Sequence, residues 1–284
     1  MKSTQNTKKT TLVLGGNGKT GSRVVNRLRL LGLPVRIGSR SAAIPFDWEN
    51  ENTWEPAVHN VHSVYITFQP DLAVPGADTA IRSFSELAVK NGVKKLVLLS
   101  GRGEPEAQVC EEVVMNTGVD YTIVRASWFN QNFSESYMLE PILSGEVVMP
   151  AANIGEPFID VDDIADIVTE ALTDPGHSRK LYEVTGPRLL SFRDAVQEIA
   201  KATGREIKFT QIPIDEYKDQ LIQAHVPQEY ISLLEYLFTE VLDGRNAHLD
   251  HGVEQALGRK PKDFSEYIRS MVNAGVWNLQ TQIQ

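Results

Sequence analysis

The stretch LVLGGNGKTGSRVV, residues 12–25, decides how this chain is read. An apolar run, residues 10–14, enters a glycine-rich turn and reads as a buried strand. Beyond the turn, Val24, Val25, Leu28 and Leu31 fall on one helical face, and Gly32 closes the helix. Between strand and helix stand Gly15, Gly18 and Gly21, three residues apart. At such a junction the first glycine permits a sharp turn and the second lets backbone approach a ligand. The third lets the helix pack on the strand. The amide groups of a helix start, together with the positive end of its dipole, suit a pyrophosphate. Gly15, Asn17, Gly18, Lys19, Thr20 and Gly21 are therefore the expected dinucleotide contacts. A plain tight turn is the competing reading. Gly18-Lys19-Thr20 has the tail of a phosphate-transfer loop, but no glycine precedes it at the spacing such a loop needs.

The second strand, LPVRIGSR, ends in Gly38-Ser39-Arg40-Ser41. NAD sites place an acid here for the ribose 2′-hydroxyl, and this chain has none. Arg40 can instead make a forked, charge-assisted bond to a 2′-phosphate, with Ser39 adding a hydroxyl. NADP(H) is the expected cofactor and NAD(H) the less favoured one.

Working outward, strands are expected at residues 61–68, 94–101, 120–127 and 181–186, alternating with helices at 77–91, 106–116 and 162–172. Continuously apolar strand centres mean a sheet covered on both faces. The expected fold is α/β, a Rossmann-type doubly wound parallel sheet. Beyond Ser191 the pattern changes to a helix, a lone strand at 206–213 and then nearly all helix. Residues 10–129 and 158–190 are read as the NAD(P)-binding domain. Residues 130–157 and 191–284 are read as a smaller, mainly helical substrate-binding lid. Residues 1–9 are read as a flexible, polar N-terminus without the apolar core of a secretory signal.

The bulk numbers exclude some classes. A net charge of −9 disfavours nucleic acid and anionic membrane as partners. No apolar run approaches the roughly 18 residues of a membrane span. The one cysteine, Cys110, rules out an intrachain disulfide and fits a cytoplasmic location. The chain is read as a monomer or homodimer.

The segments GGNGKTGSRV, FDWENENTW, LLSGRG, GVDYTIVRASWFNQNF, FIDVDDIAD, LYEVTG and LGRKPKDFSEYI occur in this order from about residue 10 to 277. In this the chain resembles the NmrA-like atypical short-chain dehydrogenases. FDWENENTW with GGNGKTGSR looks closest to the branch holding the ergot-alkaloid (agroclavine and festuclavine) dehydrogenases. The resemblance implies that Asp47 and Trp48 lie near the adenine, and that Thr67, Phe68 and Gln69 border the nicotinamide. It implies that Ser100 ends a strand beside them. Ala126, Ser127, Trp128 and Phe129 would flank the nicotinamide, with Trp128 and Phe129 opening the substrate pocket.

One departure matters. Catalytic members of the wider superfamily carry Tyr-x-x-x-Lys on the helix after LLSG, where tyrosine moves the proton. This chain reads GRGEPEAQVCEEVV, with Glu104 and Gln108 near those two positions. Ketone chemistry with a tyrosine acid is thus disfavoured. The resemblance points to iminium or conjugated acceptors, and an iminium takes hydride without an acid at the acceptor atom. The expected function is an NADP(H)-dependent oxidoreductase acting on a small activated iminium, enone or quinone-like substrate, with no catalytic residue assigned. The alternative is a non-catalytic NAD(P) redox sensor acting through a protein partner.

Other polar groups read as structural. Asp160, Asp162 and Asp163 suit a helix N-cap more than paired catalysis. Glu111 and Glu112 are expected on a solvated helix face, and Cys110 as a packing residue. His248 and His251 lack a third ligand at a recognisable spacing, so no metal is expected.

Overall fold

The computed structural model describes residues 9–151 and 153–278. The N-terminal residues 1–8 lie outside the described residues. In chain order the elements are β1 (Thr11–Leu14), α1 (Lys19–Leu30), β2 (Val35–Gly38), α2 (Trp54–Val58), β3 (Ser63–Ile66), α3 (Ala77–Lys90), β4 (Lys95–Gly101), α4 (Pro105–Met115) and β5 (Asp120–Ala126). Then come α5 (Asn132–Glu135), α6 (Leu139–Ser144), β6 (Glu146–Met149), α7 (Val161–Thr173), β7 (Lys180–Val184), α8 (Phe192–Thr203) and β8 (Lys208–Gln211). Helices α9 (Ile214–Gln223), α10 (Gln228–Tyr236), α11 (Gly252–Leu257) and α12 (Phe264–Asn273) follow, with a π-helical turn at Leu237–Val241.

The main sheet has the order β2-β1-β3-β4-β5-β7, and β1 pairs in parallel with both β2 and β3. Chain order reverses between β1 and β3. Doubly wound sheets bind ligands at such a switch point, beyond the strand carboxyl ends. The α/β Rossmann-type fold read from the alternation is the fold observed.

Two compact units divide the chain. One comprises Met1–Arg125 and Ile164–Tyr182, the other Ala126–Asp163 and Glu183–Gln284. In the first unit Leu12, Leu14, Val64, Ile66, Leu96 and Leu98 on one face of the sheet, and Val13, Tyr65 and Val97 on the other, are fully buried, as a sheet covered on both faces requires. Phe46, Trp48, Trp54 and Phe84 gather beside it, with ring centroids 5.0–6.3 Å apart. Helix α1 buries Val24, Val25 and Leu28. Leu31, placed on that face by spacing, is instead the helix's exposed C-cap, because the helix ends one residue earlier.

The second unit has its own core. Phe133 packs against Phe158, Phe192 and Phe264, and the Trp277 indole N–H donates to the Phe133 carbonyl at 3.0 Å. The strand expected to stand alone does not: β8 pairs in parallel with β6, Glu146 facing Lys208. A strand needs a partner for its backbone groups, and the partner here lies about 60 residues away in sequence. Of the aspartates read as a cap, Asp160 makes the capping bond, while Asp163 is buried and turned to distant partners. Asp160 Oδ1 accepts from the Asp162 amide at 2.8 Å, and Asp163 accepts from Arg259 and from the Lys262 amide. Among the described residues, no helix is long and apolar enough to cross a membrane.

Candidate functional site

The glycine turn is built by backbone alone. Gly15 has φ +60°, a left-handed conformation that favours glycine, and its carbonyl accepts from the Gly18 amide at 2.8 Å. A Cβ on Gly15 would strike the Thr67 hydroxyl. One on Gly21 would strike the Gly15 carbonyl oxygen. The turn is thus wedged between β3 and the first turn of α1. Gly18 is the helix N-cap, no side chain caps that end, and the first turn holds no acid. Such a helix start leaves its leading amides without intrahelical partners and favours an anion.

The neighbouring side chains are arranged around this turn. Asn17 Nδ2 donates to Ser39 Oγ at 3.0 Å, joining the loop to the residue that follows β2. Arg40, next in sequence, is exposed. Thr20 Oγ1 accepts from the buried Tyr65 hydroxyl at 3.1 Å, so its side chain faces the sheet, and burial raises the Tyr65 phenol above its ordinary range. Thr67 Oγ1 donates to the Leu14 carbonyl at 3.1 Å. The Trp48 indole N–H donates to the Thr67 carbonyl at 3.0 Å, and its ring lies 4.9 Å from that of Phe68. The Asp47 carbonyl accepts from the Trp54 indole at 2.8 Å. Gln69 is exposed, and its bond to Pro70 is cis. The structure therefore gathers Gly15, Asn17, Ser39, Trp48, Thr67 and Phe68 around one end of the sheet. It also shows Asp47 and Trp48 doing structural work there.

Ser100 is part of a different arrangement. It is 4% exposed, and its hydroxyl donates to Glu111 Oε1 at 2.6 Å. The same oxygen accepts from Arg125 Nε at 2.9 Å, and Arg125 Nη2 grips Glu111 Oε2. Glu111 is thus not on a solvated face. It is 1% exposed, on the buried stripe of α4 with Ala107, Cys110 and Val114, and Arg125 makes its burial tolerable. Glu112 is exposed, as expected. The i+4 spacing from Ala107 and the lone arginine inside the β5 run were the available signals. Cys110 is a buried packing residue, its thiol pushed up to about 12 by burial and by nearby carboxylates.

Glu104, noted in the sequence only for standing near the tyrosine–lysine positions, is a second buried carboxyl group. Glu104, the N-cap of α4, is 7% exposed and folds back over Gly101, where its carboxyl would collide with any Cβ. Burial, and then the neighbouring Asp71 carboxylate, raise Glu104 well above the carboxylate range. Asp71 is raised by burial as well. Burial and the adjacent Asp71 carboxyl thus both favour the protonated form of Glu104. The sign follows. A carboxyl whose folded pKa exceeds its unfolded value, about 4.3, supports the fold most at low pH. That support fades as pH rises through the folded pKa. Glu104→Gln should match the wild type in thermal melts near pH 4.5 and gain on it steadily towards pH 8. Parallel melting curves would show that the Glu104 carboxyl is not raised on folding.

In the second unit Trp128 is half-buried, 5.3 Å from Phe192 and 5.6 Å from Phe238 between ring centroids. Phe238 also lines a cleft of about 510 Å³ with Pro150, Gln211, Ile212 and Ile214. Phe129 bridges to Ile159 in a short parallel backbone contact.

Comparison with known proteins fits this picture. Residues 106–268, more than half of the chain, match the NmrA-like family. Agroclavine dehydrogenase of Claviceps fusiformis is 30% identical, over 94% of this chain and 98% of that protein. The chain belongs to the NmrA-like family. Fold relatives of this NmrA-like protein include an NADPH-dependent quinone oxidoreductase from Escherichia coli, solved with NADPH. Its TM-score is 0.77 at 17% identity, covering 93% of this chain and 100% of that one. Citrobacter sp. triphenylmethane reductase, solved with NADP(H), has a TM-score of 0.71 at 16% identity, with 92% and 99% coverage. At these identities the likeness to the NmrA-like chain is one of fold.

Proposed function

We propose that this protein is an NADP(H)-dependent oxidoreductase that passes hydride to or from a small activated organic substrate. The observation that carries the reading is the uncapped glycine turn, closed against any side chain at Gly15 and Gly21, with Ser39 and Arg40 beside it. In this reading the first-turn amides of α1 hold the pyrophosphate. Arg40 and Ser39 hold the 2′-phosphate, and Thr67, Phe68 and Gln69 border the nicotinamide. The first unit binds the cofactor and the second shapes the substrate site, with Trp128 and Phe129 as its first apolar walls. Bound NADPH would supply the hydride; the chain supplies position and a dry setting.

The substrate class follows from what the chain offers as an acid. Helix α4 carries neither tyrosine nor lysine, and the Ser100 hydroxyl is committed to Glu111. An acceptor that is already cationic, or whose charge spreads through conjugation, suits such a site. Iminium, enone and quinone compounds are the classes to screen. The same lack of a tyrosine–lysine pair favours a second reading, a redox sensor that reports NADP(H) state to a protein partner. Turnover separates the two, because a sensor consumes no NADPH with any acceptor.

Calorimetric titration with NADPH and NADH tests the site. Arg40→Ala should weaken NADPH by roughly 10- to 100-fold, the worth of a charge-assisted bond, and leave NADH within about a factor of three. Equal losses for both nucleotides would remove Arg40 from the 2′-phosphate site.

A further inference from the structure

We propose that Glu183, His248 and Asp250 form a binding site for a divalent transition-metal ion of the zinc class. One ligand atom from each, an imidazole nitrogen and two carboxylate oxygens, lies within 4.8 Å of the other two. Three donors around one ion at about 2.0–2.2 Å lie no more than roughly 4 Å apart, so small side-chain rotations close the set. The mixed nitrogen and oxygen donors suit zinc, and also cobalt or nickel, better than calcium or magnesium.

The backbone beneath these side chains is held in place. Glu183 is on β7, and His248 and Asp250 are on the segment that leads into α11. Thr185 joins the two: its hydroxyl donates to the Asp250 carbonyl at 3.0 Å and accepts from the Asp250 amide at 3.0 Å. Gly252 lies so close to the Glu183 carbonyl oxygen that any Cβ would collide with it. The buried Asn246 side chain anchors the start of the segment on the Val241 carbonyl at 3.3 Å. The ligands therefore stand on two pieces of backbone fixed against each other, which lowers the entropy of ordering them around an ion. His248 Nε2 already lies 3.5 Å from Asp250 Oδ2. His251 is turned to a different partner, Glu254, at 3.0 Å, and serves as an internal control. His248 is exposed, so the ion keeps water positions open. Its effect would be to clamp the segment before α11 onto β7.

Zinc titration of the full chain, freed of metal by chelator and followed by calorimetry and by thermal melting, tests the site. The wild type and His251→Ala should bind one equivalent and melt at higher temperature with zinc. His248→Ala should bind at least tenfold more weakly and lose the thermal shift. Glu183→Gln, a near-isosteric change, should do the same and guards against misfolding at either position. Cobalt in place of zinc should give visible bands whose pattern changes in His248→Ala. The site is overturned if the wild type binds no equivalent. It is equally overturned if His248→Ala and Glu183→Gln both keep wild-type affinity.

Discussion

Replacing Arg125 with leucine should destabilise the protein by about 3–5 kcal/mol, as expected for a buried carboxylate stripped of its partner. Glu111 is 1% exposed, and Arg125 grips both of its oxygens while Ser100 adds a third bond. With leucine at 125 the carboxylate keeps only the serine. It must then take up a proton or draw water into the sheet. The double variant Arg125→Leu with Glu111→Leu removes both charges and should recover most of the loss. Urea unfolding of the two variants beside the wild type measures this. If the single variant lies within about 0.5 kcal/mol of wild type, the pair contributes as little as an exposed one.

Gly21→Ala should lower nucleotide affinity by on the order of 100-fold, about 2.7 kcal/mol. Its methyl group meets the Gly15 carbonyl oxygen and the Gly16 Cα, which are backbone atoms with no rotamer to yield. Either the turn opens or α1 moves away from it, and both displace the amides proposed to hold the pyrophosphate. The cost to stability should be smaller, about 1–3 kcal/mol, as for other overpacked contacts. At Gly18 the nearest atom to an added Cβ is the Gly15 oxygen at 3.2 Å, so Gly18→Ala should melt close to wild type. Calorimetry with NADPH and a thermal melt of each variant separate binding from folding. A Gly21→Ala protein with wild-type affinity would show that the turn does not cradle the nucleotide.

Part of this was legible along the chain, and part was not. The strand, turn and helix around Gly15, Gly18 and Gly21 follow from interactions within a few residues: a left-handed φ, a helix start and an apolar face. The missing acid after β2 was equally plain. Glu111 was misread because charge was weighed above position, although it falls on the stripe of Ala107, Cys110 and Val114. The signal for its partner was a single arginine in an otherwise apolar strand.

The chain by itself determined its elements and the parallel, doubly wound arrangement they require, since strand and helix periodicities are short-range and alternation leaves few topologies. It also determined the glycine turn and the uncapped helix start behind it, because both are set by residues adjacent in sequence. Only the tertiary structure decided which distant groups meet. It paired β8 with β6, set Glu104 against Asp71, closed Glu111 on Arg125, and brought Glu183 to His248 and Asp250, 65 and 67 residues further on. Such meetings depend on how whole elements pack, and no local spacing encodes the distance between side chains on separate elements.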